Sequence, residues 1–274
     1  MKKTIIQGIL IALLFFGVWF TLAQIDWVNF FNVQKVNDKT EQKLGELFWE
    51  AFKKTERENQ NIHVLNSVDS IITAICRANI IDRENIKIHI LNKDDINAFA
   101  LPNGHLIIYS GLIVSTDNQE ELTGVICHEI AHIELNHVMK KLVKEIGLSV
   151  LISMTTGSSG EIIKETAKML SSSAFDRSLE KEADIKAVDY LTKARVNPEP
   201  FANFLYKLSD KEQETTRYFT WISTHPDSRE RAEYIIEYNK ENIIEYKPIL
   251  DIKTWNNLKE ELKISRTSTS NGQH

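Results

Sequence analysis

The chain has 274 residues, 42% hydrophobic and 26% charged, enough for one sizeable buried core and too apolar for gross disorder. Thirty-three basic residues against 38 acidic ones leave a net charge of −5, and no Lys/Arg-rich cluster is interleaved with aromatics, so there is no reason to expect nucleic acid as a partner. Two cysteines, Cys76 and Cys127, with no CxxC pair, exclude a zinc ribbon and argue against a disulfide-stapled scaffold.

The chain opens with Lys2 and Lys3, then Thr4 to Ala23 without a charge. Twenty helical residues span about 30 Å, the thickness of a bilayer's hydrocarbon core. The lysines favour a cytoplasmic N-terminus, and Trp19 and Trp27 suit the far interface. The expectation is a single-pass anchor over residues 1–24 with the remainder extracytoplasmic. The alternative is a signal peptide cleaved before Gln24, which leaves a secreted or periplasmic protein. Asn37 to Glu58 then reads as an amphipathic helix with Leu44, Leu47, Phe48 and Phe52 at helical spacing, and Val64 to Ile80 as a second. Ile86 to Leu91 alternates and reads as a strand. Ile96 to Ile113 reads as two short strands around the turn Pro102-Asn103-Gly104. Both cysteines fall inside helical patterns, where a free thiol is a small core residue, and a bridge between them is not expected.

Ser115 to Leu122 opens the next helix, with capping residues and then acids in its first turn. Its apolar stripe is Leu122, Ile126, Ile130 and Ile133. Gly147 to Gly160 is apolar but too short to span a bilayer; it reads as a buried helix end or a flap over the site. Helical patterns resume at Glu161 to Leu170 and Ser178 to Ala194, Pro198 and Pro200 break the chain, and helices follow. Residues 265–274 read as a disordered tail. With no internal repeat and no long linker, residues 25–264 form one mostly helical α+β domain.

The chemistry concentrates in VICHEIAHIELNH, residues 125–137. His128 and His132, four apart, lie about 40° apart on one helix face and can reach one ion. Glu129, about 100° from His128, can reach a water on that ion but is poorly placed as a ligand. This is H-E-x-x-H, whose mechanics are two zinc ligands and a general base. His137 is about 180° from His128 on a continuous helix, cannot join the site from there, and reads as a surface or outer-layer histidine. A catalytic zinc wants a third protein ligand. Glu180, Glu182 and Asp184 are on offer. Glu180 and Asp184 share a face, so one can ligate while the other orients a histidine, and Glu182 points away.

HEIAH, RSLEKEAD and STHPDSRER, together with NAFALPNGHLIIYSGLI ahead of the first, resemble the zinc peptidases that include HtpX and the CAAX prenyl proteases, gluzincins with an HExxH…ExxxD signature. The resemblance runs from about Ile86 to Arg231. It implies a zincin-like fold with a small sheet beside the HExxH helix. It implies one zinc per chain on His128, His132 and Glu180, with Glu129 as base and Asp184 in support. It also brings His225 to the site and matches Arg177 and Arg231 to basic positions of the motifs. Asp176 stands where serine is usual. The multi-span topology of the prenyl proteases is absent, and the likeness is nearer to single-anchor or soluble periplasmic members.

The expected function is therefore zinc-dependent hydrolysis of protein or peptide substrates in membrane-associated quality control. Glu129 would shuttle the proton, and His225 would stabilise the oxyanion or position the substrate. The strand around Ala98 could pair with an extended substrate, or serve simply as a sheet strand. The rival classes are a zinc-fold chaperone or latent protease, and a non-proteolytic metal-binding protein.

Overall fold

The structure, a computed structural model, describes residues 7, 12–17, 38–157, 160–211, 216–240 and 245–270. Of the expected anchor, residues 7 and 12–17 are described; they are helical and exposed, with Leu13, Leu14, Phe15 and Phe16 each more than 60% accessible. No helix among the described residues is long and apolar enough to cross a membrane. The remainder of that expected segment, Trp19 included, and Trp27 beyond it lie outside the described residues.

The first helix of the domain, α1 (Asp38–Lys53), buries Leu44, Phe48, Trp49 and Phe52, as its spacing predicts. It stops short of the expected Glu58, because that residue forms an isolated antiparallel bridge with Leu91. Helix α2 (Ile62–Asn79) is capped by Asn61, whose side chain accepts from the amides of His63 and Val64, and ends on Ile80 in the left-handed region.

Three strands follow: β1 (Lys87–Leu91), β2 (Ala98–Leu101) and β3 (His105–Tyr109). Their order is β1-β3-β2, with β1 parallel and β2 antiparallel to β3. The β2–β3 turn places Asn103 at φ 61° and Gly104 at φ 71°, and a Cβ at Gly104 would fall 1.7 Å from the Asn85 carbonyl oxygen. As the central strand, β3 buries both faces: Leu106 and Ile108 enter one core cluster, Ile107 and Tyr109 the other. Beside it lies a polar chain. Glu58 Oε1 is 2.9 Å from His89 Nδ1, and His89 Nε2 is 2.9 Å from His105 Nδ1. Trp49 stacks on His89 at 3.6 Å.

The sequence Ser110 to Ile113, expected to finish a strand, instead begins a short helix, α3 (Ser110–Ser115). The Ser110 hydroxyl turns the chain by donating to the Lys93 carbonyl and accepting from the Lys93 amide. Helix α4 (Gln119–Glu134) then runs through the centre of the domain. Asn118 caps it, accepting from the Glu121 amide, while Glu121 accepts from the Asp117 amide. Leu122, Ile126 and Ile130 are fully buried, each worth roughly 1.5–3 kcal/mol over exposure. Gly124 is required by close packing: a Cβ there would lie 2.3 Å from Phe201 Cβ.

The chain continues through α5 (His137–Glu145), α6 (Leu148–Thr155), α7 (Gly160–Leu170) and α8 (Arg177–Lys193). It ends in α9 (Glu199–Lys211), α10 (Thr216–Thr224), α11 (Ser228–Asn239) and α12 (Ile252–Ser270). One core lies among α2, α4, α8, α9 and α12; the other joins α1, α5, α6 and α7 to the opposite face of the sheet. Helix α12 runs into the stretch read as a disordered tail. Its first turns are anchored by buried Trp255, Leu258 and Leu262, and propagation adds one hydrogen bond per residue thereafter. Residues 271–274 lie outside the described residues. Both cysteines are free and buried, and burial pushes their thiols up, to about 11 for Cys76. The fold is mostly helical α+β of zincin-like type, with its small sheet packed by β2 against α4.

Candidate metal centre

Helix α4 presents His128 and His132 on one face, as the four-residue spacing dictates, and their Nε2 atoms lie 3.0 Å apart. Helix α8 crosses α4 and brings Glu180 against both: Oε2 is 3.6 Å from His128 Nε2, and Oε1 is 3.4 Å from His132 Nε2. One turn on, Asp184 Oδ1 sits 2.8 Å from His128 Nδ1. His225 follows α10, its amide still donating to the Trp221 carbonyl, and its Nδ1 is 3.0 Å from Glu180 Oε1. One donor atom from each of His128, His132, Glu180 and His225 falls within a 4.8 Å set. Glu129 is fully buried next to them, its Oε1 3.4 Å from His225 Nε2.

The surroundings fix these groups. Arg231 on α11 donates through Nε and Nη2 to Asp184, both at 2.8 Å, and its Nη1 lies 2.7 Å from Glu180 Oε2. Tyr234 donates its hydroxyl to Asp184 as well. Arg177 pairs with Asp227 at 2.8 Å and so ties the turn after His225 to the start of α8. Trp221 stacks on His225 at 4.3 Å, and Phe175 stacks on His132 at 4.0 Å. A pocket of about 230 Å³, lined by Arg177, Glu180, Pro226, Arg231 and Tyr234, opens towards Glu180.

Electrostatically the centre calls for a cation. Among the described residues, three buried carboxylates, Glu129, Glu180 and Asp184, face two buried cationic side chains, Arg231 and, near Glu180 and Glu129, Lys141. Burial, then the charge of Glu180, pushes the Glu129 carboxyl well above its usual range. Burial also raises Glu180, but His225 and Arg231 outweigh it and hold that carboxyl well below. Asp184 is likewise held down, with Arg231 and His128 overcoming burial. Burial keeps His132 well below the usual imidazole range and takes His225 down to about 4. Both Glu129 carboxylate oxygens and His225 Nε2 are buried without a side-chain hydrogen-bond partner. Such groups are costly unless something pairs with them. Imidazole nitrogens and carboxylate oxygens at this spacing are the donor set of a catalytic zinc, so the residues fit the ion.

Some of this escaped the sequence. His137 does not lie on the far side of a continuous helix. The chain leaves α4 after Glu134, Asn136 adopts φ 59°, and α5 restarts at His137. That break buries His137, with its Nδ1 3.0 Å from His132 Nδ1 and its Nε2 3.2 Å from Glu182 Oε2. An asparagine just past a helix is a left-handed terminator, and that signal was present at Asn136. Phe175 and Trp221 carried no local signal.

The HExxH helix, the small sheet and the four-residue cluster define a zincin-like metallopeptidase domain. Residues 63–239 match Peptidase family M48, and the chain belongs to that family. The metalloproteases of this family use zinc. The chain is 33% identical over 149 residues to metalloprotease LoiP of Escherichia coli K12, covering 51% of this chain and 57% of that protein. It is 29% identical over 160 residues to the beta-barrel assembly-enhancing protease of Yersinia pestis, covering 50% of this chain and 32% of that one. It is 31% identical over 155 residues to the mitochondrial metalloendopeptidase OMA1 of Bos taurus, covering 51% and 30%. The chain thus spans between 30% and 57% of the length of these relatives.

Proposed function

We propose that the chain is a zinc-dependent endopeptidase acting on protein substrates at a membrane, in protein quality control. The observation that carries the reading is the convergence of His128, His132, Glu180 and His225 within 4.8 Å, with a buried Glu129 beside them that no side chain hydrogen-bonds. His128, His132 and Glu180 would hold the ion, which when bound would supply Lewis-acid polarisation of a scissile carbonyl and a lowered water pKa of about 7. Glu129 takes the proton of the attacking water and passes it to the leaving amine. Asp184 orients His128 and is itself held by Arg231. His225 hydrogen-bonds the oxyanion or the substrate. β2 is an edge strand of the sheet, and an extended peptide would pair with it only where α7, which packs over it, withdraws.

Residues 1–24 act as the anchor or as a signal segment, residues 25–264 form the peptidase domain, and the domain lies on the extracytoplasmic side. The charge-free run and the exposed Leu13 to Phe16 support this arrangement. The names of the beta-barrel assembly-enhancing protease and the mitochondrial OMA1 relative support a role at membranes.

A latent protease is the second reading. His225 offers a fourth donor, and a four-ligand site is the closed, structural kind. Phe175 and α7 also cover His132 and β2. Cleavage of casein by the full chain, abolished by a chelator and restored by zinc, tests the first reading. Cleavage that appears only in Phe175→Ala supports the second, and none in either variant rejects both.

A further inference from the structure

The break after α4 gives His137 a role that a continuous helix denies it. His137 is fully buried, and its ring spans two partners: Glu182 Oε2 at 3.2 Å from Nε2, and His132 Nδ1 at 3.0 Å from Nδ1. A carboxylate only accepts, so Nε2 of His137 carries the proton and donates to Glu182. In the neutral ring Nδ1 then has a lone pair and accepts. Its partner, His132 Nδ1, must therefore carry a proton and donate. That leaves His132 Nε2 bare, and Nε2 is the atom facing His128 and Glu180.

The same reasoning applies to His128. Its Nδ1 donates to Asp184, so its Nε2 is bare too. Two bare nitrogens 3.0 Å apart cannot hydrogen-bond to each other, and a shared cation reconciles them. The two arms differ in kind. The His128 arm ends on a buried carboxylate clamped by Arg231. The His132 arm passes through a neutral imidazole and ends on Glu182, whose side chain is 52% exposed.

We infer that His137 and Glu182 are positioning residues for the metal: the relay Glu182–His137–His132 fixes the tautomer in which His132 presents its bare Nε2. The inference rests on the metal-site reading above and deepens it. It assigns a function to Glu182, a carboxylate that lies off the face shared by Glu180 and Asp184. It also explains why the chain breaks its helix at Asn136: only a restarted helix returns the fifth residue after His132 to that histidine's ring.

The test measures zinc affinity of the full chain by competition with a chromophoric chelator, and the visible spectrum after cobalt substitution. Four proteins are compared: wild type, His137→Leu, His137→Gln and Glu182→Leu. His137→Leu should bind zinc about 10–100-fold more weakly, the usual cost of losing a partner behind a ligand. His137→Gln keeps a side-chain carbonyl that can accept from His132 Nδ1, and should regain most of that affinity and the wild-type cobalt spectrum. Glu182→Leu, on a half-exposed side chain, should weaken zinc by about 10-fold while leaving the stability of the chelated protein unchanged. A merely structural role for His137 would instead lower chelated stability in both His137 variants and leave Glu182→Leu at wild-type affinity. Should His137→Leu fail to fold, Glu182→Leu decides. Equal zinc affinity in wild type and Glu182→Leu overturns the relay, whereas a wild type that binds no zinc overturns the metal site and the relay with it.

Discussion

Arg231→Met isolates the one guanidinium among the buried carboxylates of the centre. The wild-type side chain makes a two-point contact with Asp184 and a third with Glu180, all at 2.7–2.8 Å, and Arg231 is 2% exposed. Removing one partner of a buried ion pair costs about 3–5 kcal/mol, because the other charge stays buried. Asp184 keeps Tyr234 and His128, and Glu180 keeps His225, so the low end applies, about 3 kcal/mol. Against a total of about 5–15 kcal/mol this is a large share, and it lowers Tm by about 6–12 °C at this chain length. The assay is urea unfolding followed by tryptophan fluorescence in excess chelator, so that metal binding does not contribute. Arg231→Lys retains the charge but loses the planar fork, and should fall between wild type and Arg231→Met. A loss below about 1 kcal/mol in Arg231→Met would refute the argument that this guanidinium neutralises the carboxylates.

Acid stability should depend on His105, which burial, then the charges of Lys87 and His89, hold down to about 4 against about 6.5 in an unfolded chain. Between those values the unfolded state binds the proton and the folded state does not, so stability falls as pH drops from 6.5 towards 4, by about 1–3 kcal/mol. His105→Phe should lessen the pH dependence of the urea midpoint across that window, the rest coming from His89, His132, His137 and His225, which burial also holds below the usual range, and an unchanged slope would remove His105 as a source. The full chain expressed in a bacterium should resist carbonate extraction at its full mass; a soluble extracytoplasmic protein beginning at Gln24 would establish the signal-peptide alternative instead.

What the sequence disclosed was what helix geometry makes local. His128 with His132, and Glu180 with Asp184, share faces because four residues return to nearly the same angle. The β2–β3 turn was legible because Asn103 and Gly104 suit positive φ. Contacts set by packing were not legible from spacing. His225 meets His128 across 97 residues, and only the resemblance of the HPDS stretch brought it forward. The Phe175 and Trp221 rings that stack on the site histidines lie in or beside helices whose patterns report burial alone. His137 lies behind His132, as an outer-layer histidine would, but a continuous helix puts it on the far side, and it reaches His132 because the backbone turns left-handed at Asn136. The strand read through Ile113 ends at Tyr109 because Ser110 bonds the Lys93 backbone, a contact across 17 residues.

The most direct test of the account separates metal binding from proton transfer. Zinc per chain is measured beside the rate of casein cleavage for wild type, Glu129→Gln and His128→Ala. Glu129→Gln leaves the donor atoms of His128, His132 and Glu180 in place and keeps the side-chain volume, so zinc content and Tm should stay near wild type. Cleavage should fall by about 10²–10⁴-fold, the usual share of a general base. His128→Ala should lose zinc and cleavage together. Cleavage by Glu129→Gln at the wild-type rate, with zinc bound, would contradict the account.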